Sequence, residues 1–329
     1  MQTPREALIA AYTGIQPDFM PNPLKYNIGV VFPGDRYFGS ETTGIDAWGV
    51  NWTNLGPDPG LDGSTPTPGH KVLTDISDWK NQVHFPDLEK MPVKDILQGM
   101  LKHNLAAANL DRSEVVTHCL ILSGTWERAN ELMGMEDALC AFYEDPDSLK
   151  DLFQAITEYK IKCISIAIES INPDIIHMHD DWGTSNALFF SPQMWREFLK
   201  PCEKRIADHI HSLGKIYEHH SCGYITPIIP DIIEIGIDAI NPLNVCNNLA
   251  WIKKEYGSKI TMIGGIDNQR IDTPDAKECD IRAEIRRAMD LYATGGRYIS
   301  SFVCTHRHVW DIYADEAERY GKNFYHMID

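Results

Sequence analysis

Lys215–Gly223 reads KIYEHHSCG, a short run that begins apolar, turns polar over its last positions and stops at a glycine. That is the shape of a buried parallel strand whose end carries chemistry rather than packing. The same plan recurs along the chain. VVTHCLIL (115–122), DIIHMHDD (174–181), IDAINPL (237–243), ITMIGGID (260–267) and YISSFVC (298–304) are runs of strand length, and segments with helical character fill the gaps between them. Glycines stand where several of those helices should end, at Gly214, Gly236 and Gly295-Gly296, as left-handed C-caps require. Strand and helix in alternation predict a parallel sheet. With YNIGVVF (26–32) there are about seven strands, and an eighth has no clear place. The predicted fold class is α/β, a (β/α)8 TIM barrel with an N-terminal extension and a long loop, forming one domain over residues 1–329. An open doubly wound sheet is the alternative, weakened because no Gly-rich dinucleotide fingerprint follows any strand.

The N-terminal extension opens with Thr3-Pro4-Arg5-Glu6 ahead of ALIAAY, a helix start with threonine as cap and proline at the first helical position. From Pro33 to about Lys71 the chain is rich in Gly, Pro, Asp and Thr and reads as a long loop. DAWGVNW lies within it, and Trp48 and Trp52 either border a pocket or anchor the loop on the core. The net charge of −17 argues against binding to nucleic acid or to an anionic membrane, and mildly against a substrate with many carboxylates. No apolar run is long enough to span a membrane and the first residues do not resemble a signal peptide, so a cytoplasmic protein is expected. The eight cysteines, at 119, 140, 163, 202, 222, 246, 279 and 304, form no CxxC pair. Most are expected to be free thiols in a reducing compartment, with Cys119, Cys140 and Cys163 acting as small hydrophobes.

Polar residues crowd the strand ends: His177, His179, Asp180 and Asp181 in one, Glu218, His219, His220 and Cys222 in the next, then Asn241, Asp267 and Cys304. In a β/α barrel the C-terminal ends of the strands build the active site. His220 and Cys222 are two apart and leave the same face of an extended strand, whereas His219 faces the helix layer. If Cys304 ends a strand of the same barrel, one imidazole and two thiolates meet there, three corners of a tetrahedral zinc site with the fourth open. Zn2+ so held activates a sulfur or oxygen group for methyl transfer. Buried thiols with a core histidine are the plainer reading of the same residues. A rival cluster is the HxH of His177 and His179, a pattern also found at the first strand of metal-dependent amidohydrolases. Asp180 and Asp181 are the candidate catalytic carboxylates, facing the pocket as acceptors or proton carriers, though one of them serves equally well as a helix cap.

HMHDDWGTSNALFFSPQMWREFLKP, HHSCGYITPIIPDIIEIGIDAINPLN, ITMIGGIDNQ and GGRYISSFVC resemble the uroporphyrinogen decarboxylase superfamily. TPREALIAAYTGIQPD, DAWGVNW and LSGTWERANELMGMEDALCAFYEDPDSLKDLF are similar to the same family, so the resemblance covers nearly the whole chain. It implies a single (β/α)8 barrel with its pocket at the C-terminal rim. True decarboxylases of the superfamily use no metal and carry an arginine-rich N-terminal segment, which TPREALIAAYTGIQPDFMPNPLKYN does not resemble. The other branch holds zinc-dependent, corrinoid-linked methyltransferases, including methylcobalamin:coenzyme M enzymes and components of O-demethylase systems. Its H-x-C pattern with a distant cysteine is matched by His220, Cys222 and Cys304 as metal ligands. The sequence departs from that branch at SSFVCTHRHVW, which lacks the glycine-rich turn of coenzyme M enzymes, and at Asn241 and Asn244, where a further acidic ligand is expected. The resemblance thus implies a methyltransferase moving a methyl group between a small substrate, a methoxylated compound or a thiol, and the methylcobalamin or other corrinoid of a partner protein. Trp48, His179, Trp182, Asn241 and Asp267 are the expected substrate contacts. A metal-free decarboxylase is the alternative.

Overall fold

A computed structural model of the protein describes residues 2–34, 43–54 and 64–328. The segments 35–42 and 55–63 of the expected long loop lie outside the described residues. Among the described residues there are ten strands: β1 (Asn27–Val31), β2 (Gly44–Ile45), β3 (Asn51–Asn54), β4 (Ser64–Pro66), β5 (Val116–Ile121), β6 (Ile175–His179), β7 (Ile216–His220), β8 (Ala239–Leu243), β9 (Thr261–Gly264) and β10 (Tyr298–Ile299). Seven of them form one sheet in the order β1-β5-β6-β7-β8-β9-β10, and every pairing is parallel. The expected eighth strand is not found among the described residues, and no hydrogen-bonded pair joins β1 to β10 there.

The sheet is nevertheless strongly curled, and side-chain alternation shows how. On β6, β8 and β9 the residues Ile176, Ile240 and Met262 enter the large core shared with the surrounding helices. Their neighbours Ile175, Ala239 and Ile263 face the other way. They meet Val116, Ile299 and the N-terminal helix residues Leu8, Ala11 and Tyr12 in a second, smaller core. Residues of five strands can share one cluster with a single helix only if the sheet wraps around it. The helix Pro4–Thr13 therefore closes the N-terminal end of the half-barrel. Its start is set by the predicted cap, in which Thr3 and Glu6 form a reciprocal capping box. Arg5 then pins it by donating to Asp174 and to the Val115 carbonyl, at the entrances of β6 and β5.

The stretch read as a loop carries an antiparallel sheet instead, β2-β3-β4. Its centre is Asp46, which accepts hydrogen bonds from the backbone N–H groups of Trp48 and Val50 and from the Trp52 indole, all at 2.9 Å. The fully buried Arg128 reaches Asp46 at 3.1 Å and Glu131 at 3.2 Å, with its guanidinium over the Trp48 ring. Trp48 packs edge-on to Tyr159 and against Phe85 and is 2% exposed. Both tryptophans are anchors, and the expectation that Trp48 contacts substrate is corrected. Local chemistry was too weak to predict this sheet, because two of its strands are only two or three residues long and are held by one buried ion-pair cluster.

Candidate functional site

Parallel register sets His177 beside Glu218 and His179 beside His220. Because strand side chains alternate, all four point into the barrel, while Tyr217 and His219 face the helices. Barrel interiors are ordinarily filled by branched apolar layers. Here an apolar layer lies at the bottom and polar layers lie above it.

The lower polar layer centres on Glu218. Its carboxylate accepts from Tyr12 Oη of the N-terminal helix, from His177 Nδ1 at 2.7 Å and from Asn241 Nδ2 at 2.9 Å. Burial alone would raise its pKa, but the His177 hydrogen bond and charge, with His118 and Tyr12, outweigh it and bring the value down to about 2. Glu218 is thus an anion that fixes the His177 tautomer, with Nδ1 protonated and Nε2 left for other work. His118, bonded through Nδ1 to Asn27 at 2.6 Å, is kept neutral by burial, which lowers its pKa to about 4.

The upper layer is the rim. His179 and His220 stack, ring centroids 4.1 Å apart and nearly parallel at 13°. His179 Nδ1 is held by Glu127 at 2.7 Å. His220 Nε2 lies 3.4 Å from Cys222 Sγ and 3.7 Å from Asp181 Oδ1, and Asp181 also accepts the Cys222 backbone N–H at 2.6 Å. Among the described residues, His179, Asp181 and His220 offer ligand atoms that all lie within 4.8 Å of one another. Side-chain exposure rises from 8% and 5% at His177 and Glu218 to 19%, 17% and 30% at His179, His220 and Asp181, so the pocket opens at this rim.

The structure brings together His179, Asp181, His220 and Cys222 from the expected site. Cys304 does not join them: it forms no such group with His220 and Cys222 among the described residues. It follows β10, where the backbone of Thr305 and His306 is tied to Asp272. Burial and the nearby charges of Asp272 and Asp311 push its thiol up to about 12. His306, two residues on, is bonded to Asp272 at 2.9 Å.

Asp180 is corrected as well. Its side chain is fully buried and accepts from the backbone N–H groups of Trp126 and Glu127 and from the Trp182 indole, at 3.1, 2.7 and 3.1 Å. It caps the helix Thr125–Met133, whose own N-cap is Gly124 and has no side chain to do so. A Cβ at Gly124 would stand 2.4 Å from that of Asp180, so glycine lets the carboxylate reach the helix end. Burial and the Glu127 charge push the Asp180 carboxyl upward against these three donors. Trp182 is likewise buried, stacked on His219 and edge-on to Trp195. Asn241 acts from below by holding Glu218, and Asp267 caps the short helix Asn268–Ile271. Cys119 and Cys163 are buried as expected, whereas Cys140 is exposed. Tyr12, Glu127 and Glu218 were not singled out as site residues by sequence. Glu218 sits within the quoted strand, but nothing in the chain flags Tyr12, some two hundred residues away.

Among the described residues no helix is long and apolar enough to cross a membrane. A search of curated proteins finds no match. Among solved structures, a methyltransferase from Methanosarcina mazei is similar at a TM-score of 0.66 and 15% identity, covering 97% of this chain and 99% of that one. At that identity the likeness shows a shared fold. The sequence model of the family described as uroporphyrinogen decarboxylase (URO-D) matches residues 75–307, which include β5 to β10 and every rim residue above. The chain belongs to the uroporphyrinogen decarboxylase family.

Proposed function

We propose that the protein is a methyltransferase that moves a methyl group between a small substrate and a corrinoid carried by a separate protein, with zinc at the barrel mouth. The observation that carries this reading is the pairing of His220 Nε2 and Cys222 Sγ at 3.4 Å on an open rim. Nitrogen and sulfur ligands at ordinary zinc distances on two corners of a tetrahedron lie about 3.5 Å apart. The donor set therefore fits the ion. Zinc bound there supplies a Lewis acid that stabilises negative charge on a substrate oxygen or sulfur.

The chain's own residues supply the rest. When a methyl ether is cleaved, as in an O-demethylase, the oxygen departs with the bonding pair and takes up one proton; when a thiol is methylated, the sulfur gives one up. His177, with Nδ1 fixed on Glu218, holds or delivers that proton at Nε2. Val245 and Val303 are 40% and 59% exposed on segments that follow β8 and β10, which suits docking of a corrinoid protein over the mouth. The methyltransferase of like fold from Methanosarcina mazei supports the same class of activity.

The test is methyl transfer from a panel of methoxylated aromatics to reduced cobalamin, followed by the cobalamin absorption change, with and without chelation. Transfer that depends on zinc and falls at least a hundredfold in His220→Ala supports the reading. Undiminished transfer after complete metal removal refutes it. Carbon dioxide release insensitive to chelators, from small aromatic acids, would instead identify a metal-free decarboxylase.

A further inference from the structure

We infer that His118 determines specificity at the floor of this pocket: its Nε2 lone pair receives a hydroxyl or amino hydrogen at the inner end of the substrate, and the floor turns carboxylates away. Resting on the methyl-transfer reading above for a small substrate in the barrel, this assignment names the chemical class that fits there. Two features carry it, the direction of the hydrogen bonds in the floor and the space left beside the ring.

The hydrogen bonds of the floor all lead to Glu218. Its carboxylate can only accept, so Tyr12 Oη, His177 Nδ1 and Asn241 Nδ2 are the donors. The Tyr12 hydrogen is thereby committed, and the Asn27 side chain, which also bonds the Tyr12 hydroxyl, does so with its amide N–H. The other end of that amide, Oδ1, faces His118 Nδ1 at 2.6 Å, so the imidazole carries its hydrogen on Nδ1. Loss of solvation keeps the ring neutral, and a neutral ring with its hydrogen on Nδ1 has a bare lone pair on Nε2. Among the described residues no protein group bonds that atom.

Register places His118 one step below the reacting level. It lies opposite Ile175 on β6, whereas His177, which handles the proton in the reading above, lies opposite Leu120. The two rings are 6.1 Å apart, centre to centre. Room for the lower ring comes from Gly29, its partner on β1, where a Cβ would stand 2.3 Å from His118 Nε2. The strand neighbours Thr117 and Cys119 are fully buried, yet His118, Gly29, Asn27 and Asn241 all keep some exposure, so open space in the barrel reaches down to them.

A substrate end that fills this space meets the His118 lone pair beside the Glu218 anion, with no Lys or Arg side chain in the network. Hydroxyl and amino groups donate to such an acceptor. A carboxylate brings a second anion and no hydrogen, and it leaves both itself and Nε2 unpaired. The same floor opposes any decarboxylation that would bring a carboxylate down to it.

The experiment measures ligand binding to the full-length protein by calorimetry at pH 8, as purified and again after chelation, which separates the pull of a bound ion from that of the floor. The probes are the isomeric methoxyphenols and methoxyanilines, against the corresponding dimethoxybenzenes and methoxybenzoates. At least one methoxyphenol or methoxyaniline should bind about tenfold or more tightly than the dimethoxybenzene and the methoxybenzoate of the same geometry. That preference should shrink to within about threefold in His118→Phe, which keeps a ring without an acceptor. It should shrink likewise in Gly29→Ala, whose methyl group displaces the ring while leaving its chemistry intact; thermal unfolding confirms that each variant is folded. Equal or tighter binding of the methoxybenzoates to wild type, or a donor preference that survives in both variants, overturns the assignment, as does the absence of binding by every probe. Methyl transfer from the same panel to reduced cobalamin is followed separately. Zinc-dependent transfer with no donor preference refutes the role of His118 alone, whereas a donor preference in binding without any transfer refutes the methyl-transfer reading and keeps that role.

Discussion

Replacing Glu218 by glutamine tests whether the polar floor of the barrel is held together by an ionised carboxylate. Two of its bonds, from His177 and Asn241, fall on Oε1, and the third, from Tyr12, falls on Oε2. Glutamine keeps an acceptor at one position and places an amide donor at the other, opposite the Tyr12 hydroxyl. Hydrogen bonds to a charged group contribute about 1.5–3 kcal/mol and neutral ones about 0.5–1.5, so the exchange removes about 1–1.5 kcal/mol at each of two bonds and disturbs the third. Relief from burying a charge offsets part of that loss. The net expectation is about 1–3 kcal/mol of destabilisation at pH 7. The shift of the Glu218 carboxyl from 4.5 to about 2 independently corresponds to roughly 3 kcal/mol, at 1.36 kcal/mol per unit. Because the folded value is the lower one, this stability is fully present above pH 4.5 and is lost as pH falls toward 2. Urea unfolding of wild type and Glu218→Gln at pH 7 and pH 3 should therefore show a gap that narrows in acid. A double-mutant cycle with Tyr12→Phe should give a coupling of about 1 kcal/mol or more. Additivity within about 0.3 kcal/mol, with a gap that does not change with pH, would refute the reasoning.

Three further outcomes follow from the same geometry. His118 is half-buried and held neutral with a pKa lowered to about 4, so stability should fall as pH drops from 6.5 toward 4, by roughly 2 kcal/mol once its partial exposure is allowed for; thermal unfolding midpoints should show a smaller drop in His118→Asn. Asp180→Asn should lower stability by about 1–3 kcal/mol and change kcat little, since its oxygens cap a helix; a fall of about a hundredfold or more at unchanged stability would restore it as a catalytic group. Arg128→Met leaves Asp46 and Glu131 buried without their cation and should cost about 3–5 kcal/mol, with protease cleavage appearing first in the β2-β3-β4 sheet.

How far the fold could be read in advance varies by element. The strands from β5 to β9 were legible because each is a compact apolar run between helices, and a buried parallel strand leaves that trace in any window of the chain. The short sheet in the expected loop left none. Its strands pair over two or three residues, and their stability comes from Arg128, more than sixty residues away in sequence. The same distinction separates His219 from Trp182. Strand alternation alone predicted that His219 faces the helices, whereas the burial of Trp182 depends on the His219 ring it stacks upon.

For the site, local pattern determined which strand ends are polar and that His220 and Cys222 share a face, since a two-residue spacing on a strand permits nothing else. Which distant groups join them was decided only by how neighbouring strands align. The β6–β7 register sets His179 against His220 and His177 against Glu218, and the curl of the sheet lets Tyr12 enter from below. Side-chain periodicity is written into consecutive residues. Register and curvature are properties of the packed sheet, settled by contacts between residues that no window of sequence contains together.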